Sequence, residues 1–516
     1  MSPGLSFTAS RSRGGWGPVA AAGVFGLFYA AAFPKWDYTF LLPLALPFLY
    51  WAIKDVSPGR AFRLGFLAGL VANAGLLYWI VYVTHVFGRL PVPLAVGVML
   101  LLAAYLALYR ALWAWGVARA GAAGISPLWF GPALWVALEY IQTYLFSGFP
   151  WGLLGTGLYR FPLFIQVADL AGVYGVSFLL ALAGTWLFLT GFPRFQAVRH
   201  ERRREALALT LLMLWVGYGA YRLDAVGKQA AAAPKLAVGV TQGNIQQGEK
   251  WNPKMVVATL DRYAELTRRL KGARLIIWPE TAAPFLFLRN PEFTPRVQEI
   301  GRQSGAYLFF GAPAYELTPA GDRFFNRAYL LDPEGQVAGY YDKAHLVPFG
   351  EYVPLQRILF FVPKMVPMVG DFAEGPVGAV VHLPEAPVGP LICFESIFAY
   401  LSRAQVKNGA RLLVTITNDA WFGETSAPYQ HLAWGVFRAV EGRVALARAA
   451  NTGISAFVGP EGKILWTSPL NTTAAHTLEL PLMPGGTLYT RVGDVLAWLC
   501  LAGVCLAPLL RRRRRS

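Results

Sequence analysis

The stretch VGPLICFES, Val388–Ser396, is an apolar run that ends at a single cysteine, with an acid two positions later. A short apolar run of this kind, followed by polar residues, is typical of a buried β-strand. Cys393 would then lie at the carboxyl end of a strand, where layered α/β proteins bind their ligands. The two other cysteines, Cys500 and Cys505, fall in an apolar C-terminal run, so the pattern does not predict a disulfide framework. Cys393 is therefore either a small core residue or a nucleophile.

Similar strand candidates surround this stretch, from about Pro234 to Pro484. KLAVGVTQGN opens the segment, ARLIIWPE follows, and later runs such as ARLLVTITND repeat the pattern. Between the first two, Pro253–Lys271 places its apolar residues on one helical face, and His431–Ala450 predicts a second long helix. This mixture of short strands and amphipathic helices predicts a layered α/β domain.

The rest of the chain has the composition of a membrane protein. Of the 516 residues, 55% are hydrophobic and 15% are charged, and the mean hydropathy is +0.42. An average soluble domain carries about 25% charged residues. A spanning helix needs about 20 apolar residues, and the apolar runs predict eight crossings. The runs are roughly Trp16–Phe33, Tyr38–Ile53, Leu64–Phe87, Val92–Val117, Leu128–Leu145, Phe164–Phe192, Ala206–Tyr221 and Val492–Leu510.

The charges between these runs predict the orientation of the chain. Arginines are concentrated in alternate loops, for example Arg202–Arg204 and the terminal run Arg511–Arg515, so the positive-inside rule places both termini in the cytoplasm. We predict a membrane domain with seven helices over residues 1–233, an external α/β domain over 234–484, and a C-terminal helix with a basic tail over 485–516. The formal charge of +17 then reflects topology signals and contacts to acidic lipid, and no nucleic-acid-binding motif is present.

Three residues of the α/β segment could act together. Glu280 closes LIIWPE, Lys343 follows the strand candidate VAGYY, and Cys393 closes GPLIC. Because ligands bind beyond the carboxyl ends of strands, we expect the three side chains to converge. Glu280 could take the thiol proton, and Lys343 could favour the thiolate and stabilise an oxyanion together with a backbone N–H after Cys393. Attack on an ester would give a thioester, from which an amine can take the acyl group.

Each of the three residues also has an ordinary structural reading. A lone cysteine after an apolar run usually packs a core, the WPE triplet could be a strand end with a solvated acid, and Lys343 could be a surface charge beside Asp342. Their joint appearance in this order favours chemistry. The six histidines form no metal-ligand pattern, so we predict neither a metal nor a cofactor.

The local motifs resemble the nitrilase superfamily. WPE, DK and CFES, in the order Glu–Lys–Cys, carry this resemblance over about Leu236–Leu480. The stretches YYDKAHLVPFGEYVP, VTQGNIQQGEKW and TNDAWFG, together with the apolar runs and SGFPWGLLG at Ser147–Gly155, are similar to the bacterial apolipoprotein N-acyltransferase family over nearly the whole chain. The resemblance implies a nitrilase-like αββα sandwich joined to a multi-pass α-helical membrane bundle of eight transmembrane helices.

That family implies an activity and its partners. An acyl chain would pass from a phospholipid, typically phosphatidylethanolamine, through a cysteine thioester to the α-amino group of the S-diacylglyceryl cysteine that begins an apolipoprotein. This is the last step of lipoprotein maturation, and it implies a monomer in the bacterial inner membrane with a periplasmic catalytic domain. Two alternatives remain: a membrane-anchored nitrilase-like amidase that uses water, and a transporter or scaffold that carries an inert nitrilase-like domain.

The resemblance also assigns roles to residues. Glu280 is the base, Lys343 the oxyanion-stabilising lysine and Cys393 the acylated nucleophile. Supporting and substrate-binding roles fall on Glu351, Glu395, Phe394, Trp251 and Trp151, to which the strand-end argument adds Asn418, Trp421 and Phe422.

Several of these positions allow two readings. Phe394 stands where the family often has Tyr, so only its backbone N–H remains as a donor. Asn418 could line the site or form a turn, and Trp421 and Phe422 could contact acyl chains or pack their loop. Ile358–Gly370 is strongly apolar but too short and proline-rich to span a bilayer. We predict that this loop dips into the outer leaflet, or else folds over its own core.

Overall fold

The computed structural model describes residues 15–191, 202–250, 252–318, 321–353 and 372–513. The chain divides into two units, of which the first contains Met1–Tyr221 and Val492–Ser516 and the second Arg222–Arg491. In the described residues the first unit is helical and the second contains the β-strands. The predicted loop Ile358–Gly370 and Trp251 lie outside the described residues.

The helices fall in both units. In chain order they are α1 (Gly17–Ala31), α2 (Leu41–Ile53), α3 (Pro58–Leu77), α4 (Trp79–Tyr82), α5 (Val92–Ala122), α6 (Pro127–Tyr144), α7 (Pro162–Ile165), α8 (Ala168–Gly191), α9 (Arg202–Ala232), α10 (Gln247–Lys250), α11 (Val256–Arg269), α12 (Thr294–Ser304), α13 (Ala399–Lys407), α14 (Ala427–Gly442), α15 (Leu488–Val492) and α16 (Val495–Arg513).

The apolar helices support a membrane-embedded unit, but they do not give a clear count of eight crossings. Among the described residues, four helices are long and apolar enough to cross a membrane, namely α3, α5, α8 and α9. Helices α1, α2 and the stretch Val495–Ala507 are apolar but shorter. The predicted run Leu64–Phe87 is divided, because α3 ends at Leu77 and a π-helical turn occupies Val83–Phe87. Summing apolar residues along the sequence overlooks such breaks.

Buried side chains support an irregular stretch between α6 and α8. Here Phe146, Ser147 and Gly148 all have positive φ angles, and regular helix is lost. The backbone groups instead bond to side chains: Gln142 donates to the carbonyl oxygen of Trp151 at 3.3 Å, and Glu139 accepts from the Leu154 N–H at 2.7 Å. Because lipid offers no hydrogen bonds, non-helical backbone at membrane depth needs internal partners of this kind.

The second unit contains two six-stranded sheets. The first has the order β12-β1-β2-β3-β4-β5 and the second the order β11-β10-β9-β8-β7-β6. The strands are β1 (Lys235–Gln242), β2 (Leu275–Ile277), β3 (Tyr307–Thr318), β4 (Gly321–Leu331), β5 (Val337–Asp342), β6 (Val381–His382), β7 (Pro387–Ile392), β8 (Leu412–Thr417), β9 (Ala445–Ala450), β10 (Ala456–Val458), β11 (Ile464–Thr467) and β12 (Ala474–Pro481).

Alternate side chains of a strand pack into two different hydrophobic cores, one on each face of its sheet. In β2, Leu275 and Ile277 join a core shared by both sheets, whereas Ile276 between them joins a second core with α11 and α12. Successive side chains of a strand point to opposite faces, so one strand serves both layers. Helices α13 and α14 pack on β7 and β9 of the other sheet. The unit is therefore the nitrilase-like α/β sandwich that the sequence predicts.

The direction of the strands gathers several chain segments at one edge. β1, β2 and β3 are parallel, and β5 runs the same way as β3 because both pair antiparallel with β4. In the second sheet β7, β8 and β9 are parallel. The segments that follow β2, β5, β7 and β8 carry Glu280, Lys343, Cys393 and Asn418, so polar groups distant in sequence come together beyond strand ends.

Candidate active site

Cys393 occupies a strained turn directly after β7. Its φ angle is +54°, a left-handed conformation that non-glycine residues rarely adopt, and it opens a 3₁₀ turn over Cys393–Ile397. Such strain costs about 1–3 kcal/mol and is found mainly at functional sites. The residue is half-buried. A sharp turn after a strand presents the thiol beyond the sheet instead of within the core.

Burial decides the protonation state of this thiol. Loss of water and the charge of Glu280 raise the pKa of Cys393 to about 12, although the ammonium of Lys343 acts in the opposite direction. The sequence argument expected Lys343 to favour the thiolate, and it does so, but burial outweighs it. The resting residue is therefore a thiol, and attack by sulfur requires a base that removes its proton.

Glu280 has the surroundings of such a base. It lies three residues beyond β2, and its carboxylate is held from both sides: Oε1 accepts from Asn326 Nδ2 at 2.8 Å and Oε2 from the Asn418 N–H at 3.0 Å. The residue is only 7% exposed. These donors fix the direction of a carboxylate whose charge acts on Cys393.

Lys343 stands beside this carboxylate and keeps its charge. Its Nζ lies 3.0 Å from Glu351 and 4.0 Å from Glu280 Oε1. Burial alone would lower the pKa of Lys343, but the carboxylates of Glu351 and Glu280 outweigh burial and raise it. An ammonium that is permanently charged and excluded from water is suited to stabilise a developing oxyanion.

Glu395 connects the two segments that carry Lys343 and Cys393. Its Oε1 accepts from Tyr341 Oη at 2.9 Å and from the Ala344 N–H at 2.6 Å, and its Oε2 accepts from the Ile392 N–H at 2.6 Å. One side chain therefore links the end of β5 to the end of β7. Burial raises the pKa of Glu395 to about 7. Its contacts are those of a residue that positions the site.

Asn326 is a contributor that the sequence argument missed. It lies within β4, and its Nδ2 donates to Glu280 Oε1 and to Glu351 Oε1, both at 2.8 Å. Two carboxylates repel each other unless a donor or cation lies between them. Between Glu280 and Glu351, Asn326 supplies the donor and Lys343 supplies the cation. The available signal is a single amide, next to Arg327, in the strand FFNRAYLL.

A second missed group supports the turn that carries Cys393. His431, on α14, lies with Nε2 3.0 Å from the Cys393 carbonyl oxygen and 2.8 Å from Ser396 Oγ. On its other side, Nδ1 is 3.1 Å from Asp419 Oδ1 and 3.0 Å from Arg448 Nη2. Burial and the Arg448 charge lower the pKa of His431, so the neutral ring is favoured. This buried cluster stabilises the strained turn through the contacts of His431 with the Cys393 carbonyl oxygen and Ser396.

Comparison with known proteins decides the family. Residues 25–186 match the apolipoprotein N-acyltransferase N-terminal domain, and residues 237–483 match the carbon-nitrogen hydrolase family. An apolipoprotein N-acyltransferase of Geobacter metallireducens is 44% identical over 95% of this chain and 94% of its own length. That of Methylococcus capsulatus is 34% identical over 95% of both. The chain belongs to the apolipoprotein N-acyltransferase family.

Two solved structures of similar proteins each cover about half of this chain. An amidase from Nesterenkonia sp. AN1 is 21% identical and covers 50% of this chain and 97% of its own, with a TM-score of 0.36. Nit3 of Saccharomyces cerevisiae is 18% identical and covers 48% of this chain and 90% of its own, with a TM-score of 0.37.

The remaining predicted site residues lie in different places. Asn418 lies at the site, since its backbone N–H reaches Glu280 and its Nδ2 donates to Gln247 Oε1 at 2.6 Å. Phe394 is half-buried and packs against Phe398, with 5.2 Å between the ring centroids. Trp421 and Phe422 follow β8 in the 3₁₀ turn Asp419–Phe422, both half-buried.

Trp151 belongs to the helical unit and not to the sandwich. It is buried, and its ring lies 5.0 Å from that of Trp79 and 5.8 Å from that of Phe149, centroid to centroid. Glu139, in the same unit, accepts from Trp135 Nε1 at 2.9 Å. The substrate-binding role of Trp151 stays a prediction.

Proposed function

We propose that this chain acylates apolipoproteins through a thioester on Cys393. Glu280 takes the thiol proton, and the sulfur attacks an ester carbonyl of a phospholipid. Lys343 stabilises the oxyanion, together with the backbone N–H of Phe394. Glu280 then protonates the departing lysophospholipid. In the second half-reaction the α-amino group of the acceptor attacks the thioester and leaves with the acyl chain.

The remaining roles complete this proposal. Phosphatidylethanolamine is the donor and an apolipoprotein with an S-diacylglyceryl cysteine is the acceptor. Glu351 and Glu395 hold the catalytic groups in place, while further side chains bind substrate. The substrate-binding side chains are Trp151, Trp251, Asn418, Trp421 and Phe422.

Family membership, the apolar runs and the loop charges support the proposed setting. We place the chain as a monomer in a bacterial inner membrane, with eight spans, cytoplasmic termini and a periplasmic sandwich. The domain limits are residues 1–233, 234–484 and 485–516. The amidase alternative is not favoured, because the curated relatives over nearly the full chain are named as acyltransferases.

One observation carries the proposal. A buried carboxylate and a buried ammonium lie 4.0 Å apart beyond the ends of β2 and β5, and the charges of both act on the one thiol that follows β7. Burial prevents that thiol from ionising by itself. The arrangement therefore supplies a base, a cation and a nucleophile whose activation is coupled to the base.

The test is to trap the thioester. The purified protein is incubated with phosphatidylethanolamine in detergent, and intact-mass and peptide mass spectrometry locate the acyl adduct. We expect one adduct on Cys393 that a diacylated lipopeptide discharges, yielding the N-acylated peptide. Cys393→Ala should form no adduct, whereas the control variants Cys500→Ala and Cys505→Ala should behave as wild type. Adduct formation in Cys393→Ala, or release of free fatty acid without peptide acylation, would overturn the proposal.

A further inference from the structure

A second buried lysine lies against the backbone of Glu280. Lys250 ends the one-turn helix α10, which follows β1, and it is only 3% exposed. Its Nζ donates to the main-chain carbonyl oxygen of Glu280 at 2.8 Å. Lysines are almost never fully buried without a partner charge, because removing an ammonium from water is costly. Lys250 has no role in the proposed thioester mechanism.

The two buried lysines have opposite electrostatic environments. Lys343 lies against carboxylates at 3.0 and 4.0 Å, whereas in the described part of the chain Lys250 has no carboxylate within 4.0 Å. Burial lowers the pKa of Lys250 to about 8, although the charges of Glu280 and Cys393 act to raise it. These two groups, at the ends of β2 and β7, are the ionisable neighbours that act on Lys250. One lysine is thus permanently charged, and the other can lose its proton near neutral pH.

The proposed reaction leaves one proton without an acceptor. In the first half-reaction Glu280 takes the thiol proton and passes it to the leaving alcohol. Glu280 is therefore ionised again at the end of this half-reaction. In the second, an acceptor that arrives as an ammonium must lose one proton before its nitrogen can attack and another as the amide forms. Glu280 can take the second proton and return it to the Cys393 sulfur. The first proton needs another base.

We propose that Lys250, placed against Glu280, accepts the proton that the acceptor's α-ammonium releases before attack on the Cys393 thioester. This inference rests on the proposed function. The neutral amine of Lys250 takes a proton from the α-ammonium, and the freed nitrogen forms the C–N bond. Glu280 takes the second N–H proton, the C–S bond breaks, and the sulfur receives that proton. Lys250 then releases its extra proton to water, so the sum is ammonium plus thioester to amide, thiol and one proton.

The contacts of Lys250 are compatible with both of its charge states. A neutral amine keeps two N–H groups, so the bond to the Glu280 carbonyl oxygen persists when the proton is absent.

The decisive variant is Lys250→Met, measured on the isolated acyl-enzyme. The thioester is formed with phosphatidylethanolamine, excess lipid is removed, and discharge is followed with two nucleophiles. A diacylated lipopeptide arrives as an ammonium, whereas hydroxylamine is already uncharged at neutral pH. We expect Lys250→Met to slow discharge by the lipopeptide about 10²-fold at neutral pH and to leave discharge by hydroxylamine unchanged. The lipopeptide rate of the variant should recover as the pH rises, because the acceptor then arrives as a free amine.

Two further variants keep the inference falsifiable. Lys254→Met changes an exposed lysine four residues away and should match wild type with both nucleophiles. Lys250→Arg retains a donor for the Glu280 carbonyl but cannot lose its proton, so it should show the same selective defect. If Lys250→Met does not fold, Lys250→Arg decides alone.

Three results would overturn the inference. They are wild-type lipopeptide discharge in Lys250→Met, equal slowing with both nucleophiles, and restoration of lipopeptide discharge by Lys250→Arg. The last two would show that Lys250 only positions Glu280. If the wild-type protein itself forms no dischargeable thioester, the proposed function fails first, and the two failures are thus distinguishable.

Discussion

Each unit of the molecule contains a buried glutamate 4.0 Å from a cation, yet the two pairs have different neighbours. In the helical unit Glu139 Oε1 lies 4.0 Å from Arg110, and in the sandwich Glu280 Oε1 lies 4.0 Å from Lys343. Burial and charge separation are thus nearly the same. The difference lies in the neighbours of each carboxylate, so an isolated ion pair does not identify an active site.

The contacts of the helical pair, Glu139 and Arg110, are structural ones to neighbouring backbone and aromatic side chains. Glu139 accepts from Trp135 and from the Leu154 N–H, while Arg110 lies 3.9 Å above the Trp135 ring and donates to Tyr29 Oη at 3.2 Å. Tyr29 in turn donates to the Gly152 carbonyl oxygen at 2.8 Å. The network therefore ends on the irregular stretch after α6. None of the described residues in this network is a cysteine.

The sandwich pair faces a group that can react. Glu280 is oriented by two donors, and its charge acts on the thiol of Cys393. The strongest test of the comparison is therefore Glu280→Gln, which retains the shape of the side chain but removes the proposed base. We expect thioester formation in a single turnover to fall about 10³-fold. The residual rate should rise with pH, because burial still raises the pKa of Cys393 in the variant and the thiolate fraction grows as the pH approaches that pKa.

An exposed acid provides the control for that test. Glu292→Gln, on the surface of the same unit, should acylate at the wild-type rate. If Glu280→Gln acylates nearly as fast as wild type, or if its rate does not change with pH, then the sulfur loses its proton by another route. Glu280 would then not be the base, and the two buried pairs would not differ in chemical role.

An intermediate effect is expected from Asn326→Ala. This change removes the donor that bridges Glu280 and Glu351, and a hydrogen bond to a charged group is worth about 1.5–3 kcal/mol. Acyl transfer should therefore fall about 10- to 100-fold, while thermal unfolding in detergent shifts only modestly. Asn252→Ala, at an exposed position, is the matched control. A wild-type rate in Asn326→Ala would mean that Lys343 alone keeps the two carboxylates in place.

The sequence predicts those parts of the site that follow from local patterns. Glu280, Lys343 and Cys393 each come directly after an apolar strand candidate, so their place at strand ends is readable along the chain. Asn326 and His431 lie within a strand and a helix, and their partners are 46 and 38 residues away. No local pattern reports such contacts. The amide of Asn326 stands out in its strand, but it does not identify its partners.

The prediction was weakest where backbone departs from regular helix. Eight apolar runs predict eight crossings, but helix breaks after α3 and after α6 interrupt the regular structure, and among the described residues four helices meet the length and hydropathy of a span. Those breaks depend on tertiary hydrogen bonds such as that from Leu154 to Glu139. Lys250 was missed for a related reason, because its partner is a main-chain oxygen 30 residues away.

The smallest effect on chemistry is expected from Glu139→Leu. The change leaves the Trp135 indole N–H and the Leu154 N–H without their acceptor and leaves Arg110 without its nearby carboxylate. Each unsatisfied buried donor costs about 1–3 kcal/mol, so the free energy of unfolding should fall by several times the effect of a surface change. Thioester formation per folded molecule should stay at the wild-type rate. Thermal unfolding in detergent and single-turnover acylation measure the two quantities separately.

Glu139→Gln sharpens this prediction, because a glutamine keeps one carbonyl oxygen in place of the carboxylate. It can still accept from both N–H groups, so it should recover much of the stability that Glu139→Leu loses. In Glu280→Gln the same substitution should abolish most of the chemistry while sparing the fold. If glutamine preserves function at Glu139 but not at Glu280, the position of the side-chain oxygen is what matters in the helical pair. In the sandwich pair, the basicity of the carboxylate is what matters. If Glu139→Gln instead stays folded and loses acylation as strongly as Glu280→Gln, the helical pair has a chemical role as well.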